Sequence, residues 1–75
     1  MFERKIKLNP EDVKGFVAAA TKCDFDIDVT YNRVVIDAKS ILGVLGMDLS
    51  RVLTVRCFGY DPEFDRTLKA YALAC

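Results

Sequence analysis

The chain has 75 residues, 11 basic against 11 acidic, with 52% hydrophobic side chains and neither histidine nor tryptophan. A chain this short hides only about 60% of the surface it exposes when unfolded, which leaves room for one core and predicts a single domain over residues 1–75. The balanced charge argues against a nucleic-acid surface, the apolar runs fall far short of a membrane span, and the alternating start at Met1–Lys7 is not a signal peptide; a soluble, cytoplasmic protein is expected.

Phe2, Arg4, Ile6 and Leu8 alternate with Glu3, Lys5 and Lys7, the period of a half-buried strand. Asn9-Pro10-Glu11-Asp12 then supplies a cap, a proline at the first helical position and acids that oppose the helix dipole. Val13, Phe16, Val17 and Ala20 form one apolar stripe of that helix, with Lys14 and Thr21 outside. From Asp24 the period returns to two: Phe25, Ile27, Val29 and Tyr31 share one face, and Asp24, Asp26, Asp28 and Thr30 the other. Asn32-Arg33 turns the chain into Val34, Ile36 and Ala38, which alternate with Val35 and Asp37, so the two runs predict an antiparallel hairpin.

Ser40 caps a marginal helix over Ile41–Met47, weakened by two glycines. A fourth strand follows over Val52–Phe58, with Leu53, Val55 and Cys57 inward, ended by Gly59. Asp61-Pro62-Glu63 repeats the cap and proline before a last helix carrying Phe64, Leu68, Tyr71, Ala72 and Cys75 on its apolar side, with Asp65, Arg66 and Lys69 outside. The order βαββαβα implies an α+β fold: a four-stranded antiparallel sheet with its three helices on one face and the other face wet.

Without histidine the chain lacks the usual acid–base group near neutral pH, the phosphohistidine acceptor and the commonest metal ligand. Cys23, Cys57 and Cys75 are odd in number and share no short spacing, so they are read as reduced thiols. The acids Asp24, Asp26, Asp28 and Asp37 fit a solvated sheet face, and their spacing lacks the glycine and terminal glutamate of a calcium loop. No glycine-rich phosphate loop occurs. Neither an enzyme, a cofactor, a metal nor a small-molecule substrate is expected.

The short helix after Ser40 carries the functional signal. Ile41, Leu42, Val44, Leu45 and Met47 spread around more of it than one sheet-facing side can bury, so exposed aliphatics are expected beside Ser40, unless an extra layer covers them. Such a cluster marks a partner surface. A phosphate on Ser40 would sit at the positive end of the helix near Lys39, adding about two negative charges beside the patch without refolding the chain.

The stretch Asp37-Ala38-Lys39-Ser40-Ile41-Leu42-Gly43-Val44-Leu45-Gly46-Met47, set between a hairpin and a fourth strand, resembles the regulatory serine motif of HPr, the histidine-containing phosphocarrier of the bacterial phosphotransferase system. The element order of nearly the whole chain is similar to that family's open-faced sandwich. The resemblance implies Ser40 as a regulatory phosphoacceptor. It also implies a docking surface of Lys39, Ile41, Leu42 and Leu45 for protein partners, an HPr kinase/phosphorylase and a transcription regulator. One departure is large. In the family the loop between the first strand and helix carries the phosphoaccepting histidine, with an arginine and a proline close behind. Here Leu8 runs directly into Asn9-Pro10-Glu11-Asp12, several residues shorter, with neither histidine nor arginine. Relay of phosphate from phosphoenolpyruvate to a sugar is therefore excluded. The expectation is a regulatory relative of the catabolite-control type, switched at Ser40, or else a constitutive interaction domain in which Ser40 only caps a helix. A family-level comparison is expected to assign the chain to the phosphocarriers, and Phe58 on the open face leaves a sheet-mediated dimer open.

Overall fold

The computed structural model of the protein describes residues 1–72, so the expected stripe position and thiol of Cys75 lie outside the described residues. Four strands, β1 (Phe2–Ile6), β2 (Ile27–Tyr31), β3 (Val34–Asp37) and β4 (Leu53–Cys57), form one antiparallel sheet in the order β1-β4-β2-β3. Helices α1 (Val13–Thr21), α2 (Ile41–Leu45) and α3 (Pro62–Tyr71) cover one face, giving the expected α+β open-faced sandwich. None of these helices is long and apolar enough to cross a membrane.

The core is what the alternation promised. Ile6, Ile27, Val29, Leu53 and Val55 point inward from the strands and meet Val13, Phe16 and Ala20 of α1 and Phe64 and Leu68 of α3, all buried. The Phe16 and Phe64 rings lie 6.0 Å apart, joining the two long helices. Pro10–Asp12 forms a 3-10 turn leading into α1, with the Asp12 carboxylate accepting the Asn9 N–H at 2.9 Å. The Asp61 carboxylate accepts the Glu63 and Phe64 N–H groups at 2.8 and 3.1 Å, the cap the sequence announced for α3. Asn32, at φ 50°, takes the left-handed turn position that asparagine tolerates.

Several boundaries move, each for a packing reason. β1 stops at Ile6 because Ile6 pairs with Leu53, the first residue of β4; Leu8 is still buried. Asp24, Phe25 and Asp26 precede β2, so of the three evenly spaced acids only Asp28 stands on the strand. This bend follows Gly59: a Cβ there would come within 2.5 Å of the Phe25 ring, so that ring occupies the space glycine leaves. Thr30, expected in the wet face, is buried and donates its hydroxyl to the Thr54 carbonyl at 3.4 Å. β3 ends at Asp37, leaving the buried Ala38 in the following turn, and α2 ends at Leu45, two residues earlier than expected. α3 ends at Tyr71, and Ala72 turns to an extended backbone, is exposed and bridges Ile6.

Asp65 is the largest correction. The stripe placed it outside, yet it is only 6% exposed, because Arg4 on the inward side of β1 needs a counter-ion. Arg4 Nε donates to Asp65 Oδ1 at 2.8 Å, while Tyr60 Oη at 3.3 Å and Lys69 Nζ at 3.6 Å approach Oδ2. Arg4 also lies over the Phe2 ring, 5.0 Å from its centre, and Phe2 meets Tyr60 edge-on. The hydrogen bond from Arg4 holds the Asp65 carboxyl below the usual carboxylate range. A depressed native pKa contributes stability that is present above the unfolded value and is lost as pH falls through the folded value. The urea midpoint is therefore expected to fall on acidification below about pH 4, and the gap between the parent and Asp65→Asn should narrow over the same interval. Separately, Gly59→Ala should cost about 1–3 kcal/mol by the overpacking rule, read as a lower urea midpoint; an unchanged midpoint would mean that Phe25 does not need that space.

Candidate partner-binding site

Helix α2 has five residues, too few to stand alone, and its neighbours define it. Ser40, extended at φ −100° and ψ 104°, is its N-cap: Oγ accepts the Gly43 N–H at 3.2 Å, and the Ser40 carbonyl accepts the Val44 N–H at 3.0 Å. Val44 and Met47 are buried and anchor the segment in the core. Gly43 has a close-approach reason to be glycine. A Cβ there would lie 2.8 Å from Ile36 Cγ2 and 3.0 Å from Ser40 Oγ, displacing either the sheet contact or the cap.

With Val44 and Met47 inward, the remaining aliphatics face solvent. Leu42 is 80% exposed, Leu45 46% and Ile41 41%, beside the exposed Ser40. Lys39 does not join them in the way expected. Its Nζ donates to the Cys23 carbonyl at 2.8 Å, just past the end of α1, and its backbone N–H donates to Asp37 Oδ1 at 2.9 Å. The half-buried ammonium thus ties α1 to the loop before α2, a role that sequence spacing does not reveal.

The rim beyond the patch is built on Asp48. Its Oδ1 accepts the Ser50 hydroxyl at 2.6 Å and the Ser50 N–H at 3.1 Å, and its Oδ2 accepts Arg51 Nε at 3.2 Å. These bonds, the Ser50 hydroxyl first, hold the Asp48 carboxyl below its ordinary value. The Asp48 N–H in turn donates to Tyr31 Oη at 3.2 Å, while Arg51 stacks over that ring at 5.6 Å. An Asp-x-Ser-Arg run is legible as a turn; its connection to Tyr31 is not.

Elsewhere the chemistry is sparse. Among the described residues no group of three or more histidine, cysteine, aspartate or glutamate side chains is placed to hold a metal. Cys23 and Cys57 are unbridged and buried, and burial pushes both thiols up, Cys57 to about 11, so each behaves as a small apolar side chain at neutral pH. Only Lys7, Leu8 and Asn9 join β1 to the turn at Pro10, and that junction offers an ammonium and an amide, with the acids Glu11 and Asp12 in the turn itself.

No family model matches the sequence, contrary to the expectation above, and no curated protein matches it. Solved structures do match. HPr-C-His from Thermoanaerobacter tengcongensis is 26% identical, with a TM-score of 0.73 over 93% of this chain and 89% of that one. The phosphocarrier protein HPr from Bacillus anthracis str. Ames, 23% identical, shares the fold at a TM-score of 0.71, over 96% of both chains. With the sheet order β1-β4-β2-β3, three helices on one face and this likeness over almost its full length, the chain has the open-faced fold of the HPr phosphocarriers.

Proposed function

We propose that this protein is a cytoplasmic regulatory binding module, neither an enzyme nor a phosphoenolpyruvate-dependent phosphocarrier, that docks protein partners through Ile41, Leu42 and Leu45 and is switched by phosphorylation of Ser40. The observation that carries the reading is the exposure of three large aliphatic side chains on one short helix, next to an exposed serine at its start. Exposed apolar clusters of this kind are costly to leave uncovered and are characteristic of binding surfaces. The 75 residues contain no histidine to accept phosphate from a phosphotransferase donor, and the exposed Ser40 at the start of the patch is the hydroxyl proposed to carry the regulation instead. An HPr kinase/phosphorylase and a transcription regulator are the partners proposed with this reading.

The position of Lys39 shapes the switch. With Nζ donating to the Cys23 carbonyl, a phosphate on Ser40 has no ready intramolecular ammonium beside it, so its charge acts on the partner rather than on the fold. The same geometry favours a second reading, a constitutive docking domain in which Ser40 Oγ serves only as the cap that Gly43 reads.

Incubation with an HPr kinase and ATP is expected to add one phosphate by intact mass to the parent and none to Ser40→Ala, while phosphoenolpyruvate with enzyme I adds none to either. No gain from ATP would leave the constitutive reading. Ser40→Ala should lower stability by about 1 kcal/mol through loss of the cap, and Ser40→Asp, which also caps, by much less. Leu42→Ser is expected to leave the urea midpoint within about 0.5 kcal/mol while weakening partner capture; a large loss of stability would instead make Leu42 a core residue.

A further inference from the structure

The two edges of the sheet are finished differently. β1 carries Glu3, Arg4 and Lys5 in its five residues, and its far end is covered where the Lys7 N–H donates to the Tyr71 carbonyl at 3.1 Å and Ile6 bridges Ala72. Charge and cover are the usual means of closing an edge to a further strand. β3 has neither. It reads Val-Val-Ile-Asp, contains no lysine or proline, and leaves Val34 37% and Val35 58% exposed at the end of the strand order.

Its backbone polarity follows from one bond. The Ala38 N–H donates to the Ile27 carbonyl at 2.9 Å, and the register continues through Asp28↔Asp37, Val29↔Ile36, Thr30↔Val35 and Tyr31↔Val34. Bonded and non-bonded pairs alternate in an antiparallel ladder, so Val34 and Ile36 bond inward to β2 while the N–H groups of Val35 and Asp37 turn to the open edge. The Asp37 carbonyl already accepts the Ser40 N–H at 3.0 Å, and the Val35 amide is the centre of the edge.

We propose that β3 is the docking edge for a second copy of this chain, paired antiparallel about Val35. A strand that pairs with its own copy must complement itself reversed, and this one does. Arg33 and Asp37 stand two residues to either side of Val35 with opposite charge, so this register brings each Arg33 beside the partner's Asp37. Val35 then faces the partner's Val35, and Val34 the partner's Ile36, which keeps the helix-bearing faces of both sheets on one side. The open face carries the same polarity. Glu3, Arg56, Asp28 and Asp37 line up across one end, while Lys5 and Arg51 lie beside Tyr31 and Asn32 at the other. Reversal of a second copy matches acidic to basic ends, which an unrelated strand would not be bound to do.

Sedimentation of the whole chain over a concentration series up to millimolar tests this. The parent is expected to show a reversible monomer–dimer equilibrium. Val35→Pro removes an outward N–H without breaking a bond to β2, so its circular dichroism should be unchanged while the dimer dissociation constant rises about tenfold or more. Arg33→Asp and Asp37→Arg each place like charges opposite one another twice, so each alone should self-associate about tenfold more weakly. Their equimolar mixture, in which every cross-strand pair is again opposite in charge, should recover association near the parent's strength. A parent that stays monomeric to millimolar concentration overturns the proposal. So does a dimer indifferent to Val35→Pro and to the charge variants, or one lost on Leu42→Ser while the β3 variants leave it intact.

Discussion

The packing of one apolar sheet face against two long helices governs the rest of this molecule. Val29 of β2 and Val55 of β4 are register partners at the centre of the sheet and fully buried, and Ile6, Ile27 and Leu53 extend the same surface. Phe16 and Phe64 close it from above. In a chain of 75 residues this is nearly all the burial there is, so every other segment is placed by how it joins this layer.

Helix α2 shows the consequence most directly. Two residues, Val44 and Met47, reach the core, and a serine cap with a tightly approached glycine holds the first turn. A helix so short, lying at the side of the sandwich, cannot turn its remaining aliphatics inward. The exposed patch is thus a product of the same economy that makes the core, and its position beside Ser40 is set by where β3 delivers the chain. Lys39 contributes by fastening the preceding loop to the end of α1, which gives the patch a fixed base.

The connections between elements are short where the sheet leaves little room for them. At the β1–α1 junction Lys7, Leu8 and Asn9 alone reach the turn at Pro10, and the core beneath, Ile6, Leu8 and Val13, is closed. A fold stabilised by its sheet face leaves such a connection free to vary, because a loop contributes chemistry rather than burial. Charge is likewise admitted to the inner side only where it is answered, as Arg4 is by Asp65 at 2.8 Å.

The sequence alone determined the element order, the inward set of the strands, the caps at Ser40 and Asp61, and the candidate patch, because alternation, helical stripes and cap residues are local signals that survive without knowledge of neighbours. The absence of histidine chemistry was equally plain from composition. Tertiary structure decided what depends on contacts between distant residues. Asp65 is buried because Arg4, sixty-one positions away, requires it. Lys39 turns to Cys23, Phe25 fills the place left by Gly59, and β3 rather than β1 is left as the open edge. Periodicity assigns a residue to a face; it cannot say which charge, ring or edge lies opposite, since that depends on pairings that only the closed fold creates.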